Sequence, residues 1–174
     1  MADCDRTTFS RRSKADGFKA AASAFGLDDV HIVTPNEGDT APQFSGRELA
    51  QLGRKAVELV VEERRQTTAL VTFNDMTAFG AIEALRARRI AVPAEVSVVG
   101  VDGISFGELL TPSITSILRP LDESARMAVK CVAEQLLEGR CGGRSVIIEP
   151  HLIARESSSS PRAAPLPLSA QVQP

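Results

Sequence analysis

The sequence predicts an α/β fold built on an open, mostly parallel sheet, and residues 70–103 carry the observations that predict it. Residues 70–73 are short, apolar and β-prone, and a segment with the apolar spacing of a helix follows them. Pro93 blocks continuation of that helix, and a second apolar strand over residues 96–101 ends at Asp102. Strand, helix and strand in this order form a βαβ unit, whose two strands are parallel neighbours joined by a right-handed crossover.

The elements before this unit are predicted from apolar spacing and helix-end signals. Ser45 is followed three residues later by Glu48, which is a capping-box pattern and predicts a helix that begins there and runs to about residue 65. The same procedure predicts a helix over residues 12–25, a strand over 30–33 and a loop over 35–42.

The elements after the unit follow from the same rules. Gly139 ends the last periodic apolar segment, as glycine often does at helix ends. A serine- and proline-rich tail without periodicity predicts disorder. The expected order is a loop over 103–112, a strand over 113–118, a helix over 121–138, two short strands over 146–148 and 151–154, and a disordered tail over 157–174.

Composition excludes several classes of function. The chain of 174 residues is 43% hydrophobic and 24% charged with a formal charge of −2, whereas a domain that binds DNA by itself is usually basic. No run of about 18 apolar residues and no apolar leader core is present, which predicts a cytoplasmic protein without a membrane partner. The histidines and cysteines show no metal-ligand spacing, and no nucleophile elbow or phosphate loop is found, which predicts a protein without metal, cofactor or enzymatic activity. The three cysteines, Cys4, Cys131 and Cys141, are most simply reduced.

Two polar side chains stand at the carboxyl ends of the two strands of the βαβ unit. Asn74 and Asp102 should converge on one crevice, because ligands bind at this edge of an open α/β sheet. Carboxamide and carboxylate groups suit a polyol, since each can make two hydrogen bonds to neighbouring hydroxyl groups. The structural alternatives are a turn role for Asp102 before Gly103 and a turn or cap role for Asn74, with Asp75 at the predicted helix N-cap.

Four segments in the correct order carry a family resemblance. They are SRRSKADGFKAAASAFGL, TALVTFNDMTAFGAIEALRARRIAVPAEVSVVGVDG, LTPSITSILRPLDESARMAV and VIIEPHLIARESS, which together span roughly residues 10–157. They resemble the effector-binding domain of the LacI/GalR-type family of bacterial transcription regulators. The resemblance implies an incomplete type I periplasmic-binding-protein-like fold with helices on both faces of the sheet.

The same resemblance implies a ligand set of Arg12, Asn74 and Asp102 for a small sugar-like effector, although a nucleobase or another small metabolite is also open. Family members often carry a second Asp where this chain has Gly103. They also often have a stacking aromatic residue at the position of Glu48. Phe44 or Phe73 are the candidates to replace that aromatic residue, with core packing as the alternative for each.

Chains of the family pair side by side, so a homodimer is expected. The implied contact includes the helix after the Asn74 turn and the loop that follows Asp102. An intramolecular core is the equal alternative for the two helix residues. The candidate apolar interface residues are Phe79, Ile82, Phe106, Leu109 and Leu110.

The resemblance also implies a division of the chain and a function. Residues 1–10 would be a truncated first strand or leader, 11–119 the effector-binding lobe, 120–149 a crossover and helix of the other lobe, 150–156 a returning strand and 157–174 the tail. The helix-turn-helix headpiece and most of the first lobe would lie outside this chain, so DNA would be bound only through that headpiece; the alternative is that Met1 begins a compact domain. The functional expectation is an effector-sensing, dimerising part of a regulator. The alternatives are a stand-alone solute-binding module or a remnant without activity.

Overall fold

The computed structural model describes residues 9–27, 29–33, 45–63, 67–139 and 145–160. Four α-helices, a short 3₁₀ helix and four strands occur in these residues. The helices are α1 (Phe9–Ala24), α2 (Gly46–Glu63), α3 (Asp75–Ala87) and α4 (Leu121–Glu138), and the strands are β1 (Ala69–Val71), β2 (Ser97–Asp102), β3 (Thr115–Leu118) and β4 (His151–Ile153).

The strands form one mostly parallel open sheet in the order β1-β2-β3-β4. β1 and β2 are parallel with Val71 opposite Val99, and β2 and β3 are parallel with Asp102 opposite Leu118. β4 runs antiparallel to β3. The predicted α/β fold class is confirmed, and the carboxyl ends of β1, β2 and β3 meet at one edge of the sheet.

Helices α2 and α3 approach each other closely because small residues face each other between them. A Cβ atom on Gly80 would lie within 1.8 Å of the Ala50 carbonyl oxygen, and one on Gly53 would lie 2.1 Å from the Thr77 carbonyl oxygen. Larger side chains at these positions would separate the two helices. This contact allows α3 to cover β2. The hydrophobic core formed by the helices and the sheet contains Val57, Leu85, Val96, Val98 and Ile114.

Two predicted helix ends are reproduced, at the start of α2 and at the end of α4. The Ser45 amide donates to Glu48 Oε2 at 2.7 Å, and the Glu48 amide donates to Ser45 Oγ at 3.3 Å, so the capping box before α2 is confirmed. These hydrogen bonds lower the pKa of Glu48 below its ordinary value. Gly139 ends α4 in the left-handed conformation with φ of 62°.

Two predicted strands are wrong. Residues 30–33 and 146–148 are not part of the sheet, although both are apolar and β-prone. A strand needs a neighbour that supplies ladder hydrogen bonds, and the partner cannot be inferred from local composition. The predicted loop over 35–42, together with Phe44, Cys4 and Cys141, lies outside the described residues.

The start of the predicted disordered tail is also wrong, because residues 157–159 form hydrogen bonds to residues of the sheet. Ser157 is fully buried, donates its hydroxyl to the Val98 carbonyl oxygen at 2.6 Å and accepts the Thr115 amide at 2.8 Å. A serine-rich composition predicted disorder, but here the hydroxyl groups and the backbone satisfy polar groups of β2 and β3. Residues 161–174 lie outside the described residues.

Helix α4 has the predicted bounds, and its apolar side chains are exposed. Val129, Val132, Leu136 and Leu137 are 56–88% exposed. The assignment of this helix to another lobe stays a prediction. No helix in the described ranges is long and apolar enough to cross a membrane.

Candidate functional site

The carboxyl ends of β1 and β2 lie side by side. Val71 pairs with Val99, and Asn74 and Asp102 each lie three residues beyond this pair. The Thr72 amide donates to the Val99 carbonyl oxygen at 2.9 Å, so the pairing continues past the end of β1. Both polar residues therefore lie at the same edge of the sheet, as the sequence predicts.

Lys14 of α1 contacts both strand ends. Its Nζ atom donates to the Phe73 carbonyl oxygen at 2.8 Å and lies 4.0 Å from Asp102 Oδ1. Burial lowers the pKa of Lys14, as do Arg119 and Arg11, against the opposite effect of Asp102. One ammonium group thus joins helix α1 to the two strands that carry the predicted ligand residues.

The Asp102 side chain is partly buried and lies near two positively charged side chains. Its Oδ1 atom is buried and lies 2.9 Å from Arg119 Nη2, so the two side chains form an ion pair. Burial raises the pKa of Asp102, although the positive charges of Arg119 and Lys14 act in the opposite direction. Its φ of 117° is a conformation that residues with a side chain rarely adopt. Strain and desolvation at one residue are typical of a functional site.

Asn74 is the N-cap of α3, so the cap alternative is confirmed and the predicted N-cap at Asp75 is wrong by one residue. The Asn74 Oδ1 atom accepts the Thr77 amide at 2.9 Å, and its backbone is extended. The Asn74 side-chain nitrogen donates no hydrogen bond among the described residues. A cap role and a ligand role are compatible, because the cap uses only the oxygen of the amide.

Asp75 has a structural role beneath the site. Its side chain is 1% exposed, and its carboxylate accepts the Ile104 amide at 2.8 Å and the Ser116 hydroxyl at 2.5 Å. Ser116 Oγ in turn accepts the Gly103 amide at 3.1 Å. A Cβ on Gly100 would lie 2.1 Å from Asp75 Oδ1, so the glycine makes room for the carboxylate. This network holds the start of α3 against the ends of β2 and β3.

Arg11 and Lys14 of helix α1 contact residues of the site. The Arg11 guanidinium lies 4.8 Å from the centre of the Phe73 ring, as in a cation–π contact. Arg12 is exposed, because it is rotated by about 100° from Arg11 around the helix. The structure therefore brings Asn74, Asp102 and Phe73 together, and the ligand role of Arg12 stays a prediction.

Some of the candidate interface residues belong to the core or pack against it, and the others are exposed. Ile82 is 5% exposed and belongs to the core, which is the intramolecular alternative. Phe79 and Leu110 are partly buried against that core, and the Phe79 ring meets the Phe106 ring edge-on at 5.7 Å. Phe106 and Leu109 are 44% and 82% exposed.

The sequence reasoning missed Lys14, Arg119 and Arg11. Arg119 follows β3 directly, so the strand-end rule that selected Asp102 also applies to it. Lys14 and Arg11 had no comparable signal, since only the packing of α1 shows which of its faces meets the sheet. Among the described residues no three His, Cys, Asp or Glu side chains are grouped so that they could hold a metal ion.

An open sheet with converging polar groups at its carboxyl edge defines a ligand-binding α/β domain, and comparison with known proteins agrees. The family model for the periplasmic binding protein-like domain matches residues 4–158. The chain is 31% identical over 157 residues to an uncharacterized HTH-type transcriptional regulator of Streptomyces limosus, covering 89% of this chain and 42% of that protein. It is 25% identical over 158 residues to the HTH-type transcriptional regulator DegA of Bacillus subtilis, covering 89% of this chain and 43% of DegA.

A solved structure gives the same result. The LacI family transcriptional regulator from Arthrobacter sp. FB24, in complex with lactose, matches with a TM-score of 0.59 and 31% identity over 63% of this chain and 41% of that chain. The chain belongs to the family of periplasmic binding protein-like domains, of the type found in LacI-type transcription regulators. It spans less than half the length of each of these three relatives.

Proposed function

We propose that this chain is the effector-sensing part of a LacI-type transcription regulator, with a small hydroxylated molecule bound at the carboxyl edge of β1 and β2. The observation that supports this most directly is the joint contact of Lys14 with Phe73 and Asp102 at the two strand ends. The Asp102 carboxylate accepts hydrogen bonds from ligand hydroxyl groups, and the Asn74 side-chain nitrogen donates one. The Phe73 ring supplies an apolar face beside them.

The coupling to DNA follows from the contacts that the ligand replaces. Asp102 holds Arg119 at the start of the segment that leads into α4. A ligand that binds Asp102 competes with this ion pair and changes how α4 is attached to the sheet. In the whole regulator, the states with and without this ion pair would differ in their affinity for the ligand. If the same two states differ in how they hold a DNA-binding headpiece, ligand binding changes the affinity for operator DNA.

Calorimetric titration of the purified chain with neutral sugars, including lactose, and with nucleobases tests the proposed site. We expect saturable binding of at least one compound and a loss of affinity of at least about tenfold in Asp102→Asn, because the negative charge is lost and one of the two acceptor oxygens becomes a donor. Asp122→Asn on the exposed start of α4 is the matched control and should bind as the original chain does. Absence of binding by a chain that circular dichroism shows to be folded would count against the sensor function.

We also propose that two chains pair through an apolar patch formed by Phe106 and Leu109. Both are exposed beside the core that contains Ile82, and the short 3₁₀ helix Ser105–Glu108 that carries Phe106 is held in place. Arg155 fixes this helix by contacts to Glu108 at 2.6 Å and to the Ile114 carbonyl oxygen at 2.8 Å. A fixed and exposed apolar patch suits a protein interface.

Sedimentation velocity tests the pairing. Leu109→Asp should shift the chain toward the monomer, because it places a charge in the patch. Leu27→Asp, at a residue that is 59% exposed beyond α1, is the control and should leave the oligomeric state unchanged. An unchanged dimer in Leu109→Asp would contradict the proposed interface.

A further inference from the structure

The site contains more positive than negative side chains among the described residues. Lys14 Nζ and Arg119 Nη2 lie 4.0 Å and 2.9 Å from the same Asp102 Oδ1 atom. The charge of the neighbouring Asp75 carboxylate also acts on Lys14, but this side chain is buried and its oxygens accept hydrogen bonds from Ile104 and Ser116. Two cations therefore share one accessible carboxylate.

The cations lie on the outer side of this cluster. The Arg119 and Lys14 side chains are 47% and 31% exposed, whereas that of Asp102 is 24% exposed and its Oδ1 atom is buried. Arg11, above the Phe73 ring, lies close enough to lower the pKa of Lys14 together with Arg119. A molecule that enters from solvent meets guanidinium and ammonium groups before it reaches the carboxylate.

Such an arrangement disfavours a ligand without charge. A neutral polyol that binds Asp102 must compete with two cations for the same oxygen atoms and offers them only weak acceptors in return. A carboxylate or phosphate group can instead bind the Arg119 guanidinium through two parallel hydrogen bonds and pair with Lys14. Asp102 is then available to accept hydrogen bonds from hydroxyl groups on the same molecule.

We infer that the effector of this chain carries an anionic group, a carboxylate or a phosphate ester, on a hydroxylated carbon framework, with Arg119 and Lys14 as the residues that select for the charge. This inference rests on the proposed function, since it names the ligand class of the same site. The lowered pKa of Lys14 agrees with it, because a bound anion would offset the burial and the neighbouring arginine charges.

Matched pairs of compounds that differ only in the anionic group test the inference by calorimetry. The pairs are glucuronate with glucose, galacturonate with galactose, and ribose 5-phosphate with ribose. We expect the charged member of at least one pair to bind at least about tenfold more tightly than the neutral one, with an affinity that falls as sodium chloride is added. The two sugar acids and the sugar phosphate show whether the site prefers a carboxylate or a phosphate ester.

The variant Arg119→Gln should remove this preference while keeping a hydrogen-bonding side chain. Arg126→Gln on the exposed surface of α4 is the matched control and should keep it. Lys14→Met should reduce the preference as well, and circular dichroism would show whether α1 and the rest of the chain remain folded. A preference that survives in Arg119→Gln would overturn the assignment.

Inorganic phosphate, followed by amide NMR, separates the inference from the proposed function. Phosphate-induced chemical-shift changes at Phe73, Gly103 and Arg119 that are absent in Arg119→Gln support the anion site. If these changes occur but no sugar binds, the anion site stands and the proposed sensor function fails. Tight binding of neutral sugars with no phosphate effect supports the sensor function and overturns the inference. If phosphate causes no chemical-shift changes and no sugar or sugar derivative binds, the inference and the proposed function are both rejected.

Discussion

Asp102 Oδ1 and Arg119 Nη2 lie 2.9 Å apart across the ends of two neighbouring parallel strands. The pairing follows from the register, because Asp102 lies opposite Leu118 and Arg119 is the next residue. The pair joins the predicted ligand carboxylate to the chain segment that leads into α4. Under the proposed function, this pair is the contact through which a ligand bound at Asp102 would act on that helix.

Removing the negative charge of Asp102 should not destabilise the chain at pH 7. Burial raises the pKa of Asp102, so the ionised form is unfavourable in the folded state, and this cost exists only above the ordinary pKa. Asp102→Asn should melt at the same or a higher temperature than the original chain at pH 7. The difference should shrink as the pH falls through the raised pKa, where the original side chain becomes protonated. Thermal melts over a series of pH values would reveal the opposite trend if the carboxylate were stabilising.

Asp102→Gly should stabilise the chain more than Asp102→Asn. A φ of 117° favours glycine, and relief of such backbone strain amounts to about 1 kcal/mol or more. Urea denaturation of the two variants measures the difference directly. Equal free energies of unfolding would show that the backbone at this residue is not strained.

Asp75→Ala should be among the most damaging single substitutions in this region. It leaves the Ile104 amide and the Ser116 hydroxyl without their acceptor in a buried position, at a cost of about 2–3 kcal/mol. The midpoint of urea denaturation reports this loss. The exposed Asp122→Ala serves as the comparison and should change the stability by much less. A midpoint for Asp75→Ala equal to that of the original chain would contradict the structural role.

Gly100→Ala should destabilise the same network from the other side. The added Cβ would lie 2.1 Å from Asp75 Oδ1, and overpacking of this kind costs about 1–3 kcal/mol. Gly17→Ala is a matched control in helix α1, where a Cβ meets nothing within 4 Å, and should be neutral or slightly stabilising. In thermal melting, Gly100→Ala should therefore lower the melting temperature, and Gly17→Ala should leave it unchanged or raise it slightly.

Asn74→Ser should separate the two roles of this residue. Serine also caps helices, so the free energy of unfolding should stay within about 0.5 kcal/mol, whereas Asn74→Ala should lose about 1 kcal/mol. Ligand affinity should fall in both variants, because both lack the amide nitrogen. Full affinity in Asn74→Ser would show that the residue is only a cap.

Ser157→Ala should destabilise the end of the sheet although serine is a small residue in a serine-rich segment. Its buried hydroxyl contacts the Val98 carbonyl oxygen and the Thr115 amide, and the loss of both hydrogen bonds costs about 1–3 kcal/mol. Ser159→Ala is the control, since this side chain is exposed. Equal melting temperatures of the two variants would argue against the packing of this segment.

The sequence by itself determined those features that depend on residues close together in the chain. The βαβ unit, the bounds of α4 and the Ser45–Glu48 capping box are set by apolar spacing and by side chains within one helical turn of each other. The placement of Asn74 and Asp102 at one edge follows as well, because parallel neighbours carry their carboxyl ends to the same side.

Only the tertiary structure decided which cations meet Asp102, which residue caps α3 and where the ordered chain continues after β4. Lys14 and Asp102 are far apart in sequence, and their contact depends on how α1 packs against the sheet. Ser157 is ordered because β2 and β3 present polar backbone groups to it, which no local pattern of serines reveals. Contacts of this kind arise from the register of strands and the packing of helices, so they appear only when the whole domain is assembled.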